Sequence, residues 1–193
     1  MRILMVADVL PDPNSGAAGT EYQTIAALQR LGHRVDAIWA NAIPRHIRHP
    51  NLHYLFELPH AFAHVIDQAC RRQRYDVIHC NQPHGYLAAH KFHASGRPGV
   101  FVSRSHGFEA HAASALAAWR RRCGMRERRF PRNLPGALLD AEMRRQCWLV
   151  VRHADGLIVS CQADKSFIIQ RYGAVEQRVA CIPQAAPDAF LQT

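Results

Sequence analysis

The sequence predicts an α/β fold: a parallel β-sheet with helices on both faces, forming a single domain over residues 1–193. Three observations predict it. Apolar runs of strand length alternate with longer segments of helical period, and strands separated by helices pair in parallel through right-handed crossovers. The first run, Arg2–Ala7, is continuously apolar after its arginine until Ala7, the pattern of a strand covered on both faces. The chain has 193 residues, 48% of them hydrophobic, enough for one substantial core and not comfortably for two.

Arg2–Ala7 is the first strand, and a loop carrying Pro11 and Pro13 follows it. Thr20 is the expected cap of the first helix, with Gln23 three residues on; Tyr22, Ile25, Leu28 and Leu31 make its inner face and Gly32 ends it. Arg34–Trp39 is the second strand and Leu52–Leu58 the next expected one. A helix over Ala61–Arg74, a strand over Asp76–Cys80, a helix over Gly85–Ala94 and a strand over Gly99–Ser103 continue the alternation. After an arginine-rich excursion come a long helix (Pro135–His153), a strand (Gly156–Ser160), a helix (Ala163–Tyr172) and a last strand (Arg178–Ile182). Asp12–Ala18, Ala40–Asn51 and Gly124–Gly136 gather prolines, glycines or charges and read as flexible connections.

Several classes are disfavoured at this level. No run approaches the roughly 20 apolar residues of a spanning helix. The N-terminus meets Asp8 too early and lacks the small-residue cleavage site of a secretory signal, so the expected location is cytoplasmic. The six cysteines (Cys70, Cys80, Cys123, Cys147, Cys161, Cys181) form no C-x-x-C pair and read as reduced packing residues. Of thirteen histidines, His60/His64 and His90/His93 have one-face helical spacing, but without an H-E-x-x-H glutamate or a nearby third ligand no metal is expected.

The formal charge of +9 is concentrated in one place. Arg120, Arg121, Arg122, Arg126, Arg128, Arg129 and Arg132 crowd a segment whose only acid is Glu127, giving it a net +6. Such a block attracts phosphates, nucleic acid or anionic lipid headgroups; the plain alternative is an exposed, Arg-rich helix and loop. Aromatic interleaving is thin, only Trp119 and Phe130, which disfavours nucleic acid. Arg120, Arg121, Arg122, Arg128 and Arg129 are the candidate contacts to a membrane surface or other anion, and peripheral association with the inner face of a membrane is the expectation.

In a parallel sheet, ligands bind beyond the carboxyl ends of the strands. The expected rim is therefore Asp8–Gly19, Cys80–Gly85, Ser103–His111 and Pro183–Asp188. In "PDPNSGAAGTE", Gly16 and Gly19 precede a helix N-terminus, where backbone N–H groups suit a phosphate; turn formation alone explains such glycines equally well. G-x-x-G is not G-x-G-x-x-G, and Asp36 lies near the start of the second strand instead of its end, so a nicotinamide site is disfavoured. In "SRSHGFEAH", His106 and Gly107 fall where a buried strand ends. His79 reads as a satisfied core residue, His84 as a weaker ligand candidate, and Asp8 and Glu21 as capping or solvating the first loop.

The ordered set "MRILMVADVLPDPNSGAAGTEYQTIAALQRLGHRVDAIW", "YDVIHCNQP", "FVSRSHGFE", "ADGLIVSCQADKSFIIQRYG" and "RVACIPQAAPDAF" resembles the Rossmann-like N-terminal domain of a GT-B glycosyltransferase of family 4, the group-1 type. The resemblance spans nearly the whole chain and is specific through its order. It implies that this domain binds the acceptor, a glycan or lipid-linked sugar, while a second Rossmann-like domain holds most of a nucleotide-sugar donor. The implied catalytic residue is His106, beside the transferring sugar, with Gly16, Gly19, Gly107 and His84 in contact with substrate. His106 would hydrogen-bond a sugar hydroxyl or steady developing charge, and Gly107 would let substrate approach the backbone. The competing reading of His106 is a residue capping the next helix or satisfied by backbone. No cofactor is implied beyond the donor, and no metal.

Two departures stand out. The resemblance leads one to expect I-P-N-G-V-D near the end, where this chain reads Ile182-Pro183-Gln184-Ala185-Ala186-Pro187-Asp188. The E-x7-E motif of the donor domain has no place before Thr193, so the C-terminal donor-binding domain is expected in a longer polypeptide or a separate partner chain, and this chain alone is expected to be inactive. The alternatives are a non-catalytic Rossmann-like module that binds an anionic or phosphorylated ligand, and a nucleic-acid protein using Arg120–Arg132.

Overall fold

A computed structural model describes residues 1–81, 83–125 and 134–184. Its centre is one sheet of six strands: β1 (Arg2–Val6), β2 (Arg34–Ile38), β3 (Val77–Asn81), β4 (Val100–Arg104), β5 (Gly156–Val159) and β6 (Val179–Cys181). The order is β2-β1-β3-β4-β5-β6 and every neighbouring pair is parallel. From β1 the chain steps one way to β2, then crosses back over β1 to β3 and continues the other way. The order therefore reverses between β1 and β3, which opens a crevice beyond their carboxyl ends.

Period-two alternation assigns the two faces. Leu4, Val6, Ile78, Cys80, Phe101, Leu157, Val159 and Val179 join one buried cluster. Helices α3 (Leu58–Arg72), α4 (Tyr86–Ala94), α6 (Leu134–His153) and α7 (Gln162–Tyr172) close over it. The inner stripe of α3, Leu58, Ala61, Phe62, Val65 and Ile66, has the spacing of a helix half sunk in a core. α7 ends at Gly173 in the left-handed conformation, with φ of +67°, as a helix C-terminus favours. On the opposite face lies α1 (Gly16–Arg30), whose Glu21 and Ile25 meet Met5 and Ala7. Helices thus cover both faces, as the sequence predicts.

Four local expectations fail. The first helix starts at Gly16, not after Thr20: Ser15 is the cap, its Oγ accepting from the Ala18 N–H at 3.2 Å. With that start, Thr20 lies inside the helix, bonding back to the Gly16 carbonyl, and Leu31 falls past the last turn, where it is exposed. The segment Leu52–Leu58 is helical. Pro50 opens a short helix, α2 (Pro50–Leu52), and a π-helical stretch (His53–Glu57) joins it to α3. Leu52, Tyr54, Phe56 and Leu58 alternate as on a strand, but the buried residues are Leu55 and Leu58, at helical spacing, and Leu52 and Phe56 are exposed. Tertiary bonds hold the segment: the Glu57 carboxylate accepts from the N–H groups of His46 and Ile47 and from His53 Nδ1, and the buried Gln146 amide donates to the Leu55 carbonyl. Those bonds hold the Glu57 carboxyl well below its usual range, His53 contributing most.

The arginine-rich excursion hides a helix, α5 (Glu109–Arg122). Its alanines favour helix, yet only Ala110 is buried, so no apolar periodicity announces it. Finally, all six cysteines are free, but Cys123 and Cys161 are exposed and do no packing. Among the described residues no helix is long and apolar enough to cross a membrane, and no three His, Cys, Asp or Glu side chains are grouped to hold a metal ion.

Candidate active site at the carboxyl edge

β4 ends at Arg104, and the chain turns through Ser105, His106 and Gly107 into α5. This turn is fastened from several sides. The Gly107 N–H donates to Ser105 Oγ at 3.2 Å, and Ser160, just past β5, donates its Oγ–H to the His106 carbonyl at 3.3 Å. Asp164, in the first turn of α7, accepts from the Phe108 N–H at 3.1 Å and bonds His111 Nδ1 at 2.6 Å. His111 stacks on Phe167, with centroids 4.7 Å apart.

The His106 ring is held at both nitrogens. Nε2 lies 3.0 Å from Glu21 Oε1 on α1, and Nδ1 lies 3.3 Å from the Gln184 amide nitrogen beyond β6. A carboxylate only accepts, so Nε2 carries a hydrogen, and the Gln184 amide lies against Nδ1. The side chain keeps 23% of its surface open. His106 is therefore a polar group held at both nitrogens that stays partly exposed at the carboxyl end of β4.

Glu21 is buried, 1% exposed. Burial pushes its carboxyl up, but the His106 hydrogen bond, then the nearby His79, Arg104 and His106, outweigh burial and hold it below its ordinary value. Arg104 is itself buried and donates to Thr24 Oγ1 at 2.8 Å. His79 is enclosed by the same group, and burial drives it down to about 4. Sequence reasoning placed Glu21 as a solvating residue of the loop; that reading is corrected. The signal lay in the helix start, because a helix from Gly16 puts Ala18, Glu21 and Ile25 on one face, toward the sheet.

The glycines divide. A Cβ on Gly19 would stand 2.8 Å from the Pro13 carbonyl oxygen, so Gly19 lets the loop after β1 fold onto α1. Around Gly16 and Gly107 a Cβ would meet nothing within 4 Å, and both lie open along the edge. His84 is fully buried and reaches the edge only through Asp8, whose Oδ2 is 3.8 Å from His84 Nε2. Its ring packs edge-on to Tyr54, centroids 3.9 Å apart, and burial lowers it to about 4. Asp8 does not merely solvate the loop: its Oδ1 accepts from the Asn81 amide at 3.1 Å, tying β1 to β3 at the point of reversal. Nearby, burial raises Glu109 to about 8. Gln184 replaces the asparagine of the resemblance and still reaches His106. Of the basic block, Arg120, Arg121 and Arg122 form the last turn of α5 and are exposed. Arg128 and Arg129 lie outside the described residues, as do Gln82 and residues 185–188 of the expected rim.

The six-stranded, all-parallel Rossmann-like sheet matches the domains of GT-B glycosyltransferases. The chain belongs to Glycosyltransferase Family 4, whose model matches residues 15–188. Solved structures of similar fold include a sucrose-phosphate synthase from Thermosynechococcus elongatus, at 14% identity and a TM-score of 0.64, covering 95% of this chain and 48% of that one. The lipopolysaccharide outer core galactosyltransferase WaaB in its apo form is similar at 11% identity and a TM-score of 0.56, over 93% of this chain and 44% of that one. The catalytic domain of starch synthase IV from Arabidopsis thaliana, bound to ADP and acarbose, is similar at 12% identity and a TM-score of 0.56, over 95% and 51%. The chain spans about half the length of these structures. No curated protein sequence matches it.

Proposed function

We propose that this chain is the acceptor-side half of a sugar transferase, completed by a second α/β domain that holds a nucleotide-sugar donor. Membership of family 4 supports glycosyl transfer as the reaction class, and the coverage of about half of each similar structure supports the need for a second half. The observation that carries the reading is the His106 ring, held by Glu21 and Gln184 and partly exposed at the edge where β4 meets α5. A polar group immobilised before reaction costs no reorganisation when charge develops beside it, and this is the property a transferring sugar demands. In this role His106 keeps its bond to Glu21, which is a positioning residue acting through it, and exchanges the longer Gln184 contact at Nδ1 for a sugar hydroxyl beside the developing charge, while Gly16 and Gly107 leave room for substrate.

The test is sugar transfer from a panel of nucleotide sugars, by the isolated chain and by the chain joined to or mixed with its second domain. Turnover only in the combined protein supports the proposal. Robust turnover by the chain alone contradicts it, and tight donor binding with no turnover in either form favours a binding module instead.

A further inference from the structure

His60 and His64 stand one turn apart on α3 and take no part in the carboxyl edge. They border a groove of about 150 Å³ between α3 and α4. Ala63 on α3 and Ala88 on α4 are too small to fill it, and with Ile66 and Phe92 they make a buried apolar floor. The rim is basic: Lys91 and Arg97 join the two histidines, and Asp67 is the one acid among the lining residues. That acid is already taken. Its Oδ1 accepts from Arg97 Nη2 at 2.8 Å, and its Oδ2 pairs with Arg71 Nε at 2.9 Å. Among the described residues Lys91 pairs with no acid, and the Arg97 guanidinium hydrogen-bonds through Nη2 alone.

We propose that this groove binds a small phosphate ester, with Lys91, Arg97 and the two histidines around the phosphate and the carbon body on the Ala63–Phe92 floor. Charge complementarity carries this: with Asp67 shared by two arginines, the lining is net positive even when both histidines are neutral. An ammonium, a guanidinium and two imidazoles offer hydrogen-bond donors from separate side chains, which suits the three outer oxygens of a phosphate better than the two of a carboxylate. The same cations disfavour the metal ion that the His60/His64 spacing raises, because a metal would sit beside Lys91 and Arg97. A groove of this volume takes a phosphate with a short carbon body, given that one water has a share of ~30 Å³. Lys91 lies in the last turn of α4 and Arg97 in the connection leading to β4, toward the amino edge of the sheet and opposite the His106 turn. The groove therefore stands apart from the sugar-transfer reading, and its test needs no turnover.

The experiment titrates the folded chain with glycerol phosphate, inorganic phosphate or acetate at constant ionic strength, with affinity read by calorimetry and location by backbone amide shifts in nuclear magnetic resonance. Glycerol phosphate is expected to bind once per chain and to shift the amides of Ala63, His64, Ala88 and Lys91, leaving those of Ser105 to Gly107 in place. Inorganic phosphate, with no carbon body for the floor, should bind more weakly, and acetate more weakly still. Lys91→Gln removes an exposed, unpaired cation, so its melting temperature should hold while glycerol phosphate binds about tenfold less tightly, as for one lost charge-assisted hydrogen bond. Lys91→Arg should keep most of the affinity, and R120Q/R121Q/R122Q, on a different helix, should bind as wild type does. Shifts that are absent or confined to the carboxyl edge overturn the proposal. So does acetate binding as tightly as glycerol phosphate, or a loss in Lys91→Gln no greater than in the α5 triple variant.

Discussion

One helix, α5, begins in the most tightly tied part of this molecule and ends in one of the least. At its start, the His106 turn is bonded to α1, to the ends of β5 and β6 and to α7, and its nearby buried carboxylate, Glu21, faces His79 and Arg104. At its end, three arginines stand in solvent without an acidic partner among the described residues. A charge taken out of water must find its partners inside the fold, whereas an exposed one is left available to something outside. The first arrangement suits a group that must be aimed; the second suits a surface that meets another body.

Removing Glu21 is the hardest blow to the tied end. Glu21→Ala takes the nearby carboxylate away from buried Arg104 and His79 and leaves His106 without one of its two holders, and a loss of about 2 to 3 kcal/mol, as for a hydrogen bond to a charged group, is expected in chemical denaturation. Glu21→Gln keeps the hydrogen bond and should lose less; if the two variants are equally stable, the charge network contributes nothing. His106→Ala, assayed in the complete enzyme, should lower kcat by about 2 to 4 kcal/mol of activation free energy while the melting temperature barely moves. The reverse outcome makes His106 a structural residue.

A smaller contrast lies within the glycine loop. Gly19→Ala drives a Cβ into the Pro13 carbonyl and should cost on the order of 1 to 3 kcal/mol, whereas Gly16→Ala meets nothing within 4 Å and should be neutral or stabilising by a few tenths to about 1 kcal/mol. Equal thermal stability of the two variants would remove the close-approach explanation.

Acidity offers a milder probe of the same buried edge. Burial lowers His79 and His84 to about 4 from 6.5, so the unfolded chain takes up their protons first and stability falls as pH drops through that window. Burial raises Glu109 from 4.5 to about 8, so the unfolded chain loses that proton first and stability falls as pH rises between those values. Two histidines outweigh one glutamate below 6.5 and Glu109 acts alone above it. Melting temperature should therefore peak near pH 6.5, and Glu109→Gln should flatten the alkaline side. A wild-type melting temperature that climbs from pH 6.5 to 8 contradicts this.

The least effect is expected at the free end, where R120Q/R121Q/R122Q should change stability by no more than about 0.5 kcal/mol, as exposed positions do. A larger loss would mean that these arginines make contacts that hold the end of α5.

The sequence by itself determined the sheet. Short apolar runs alternating with helical periods placed all six strands: β1, β3, β4 and β5 lie inside the sheet and are largely buried, whereas β2 and β6 are the partly exposed edges, recognised by their place in the alternation. It also put His106 and Gly107 at a strand end, since the apolar run stops there. It misread Leu52–Leu58, because Leu52, Tyr54, Phe56 and Leu58 alternate as on a strand, whereas the buried pair is Leu55 and Leu58, three apart as on a helix, and Leu52 and Phe56 are exposed. It allowed an exposed helix in the arginine block but gave no bounds for α5, whose inner face is nearly all alanine. Only the tertiary structure decided that Glu21 and Gln184 grip His106 and that Asp8 joins Asn81. These pairs lie 85, 78 and 73 residues apart, and a local pattern carries no information about which distant side chain will share a buried position. The partner of a buried charge is chosen by the packing of α1 across the sheet, which exists only once the chain has folded.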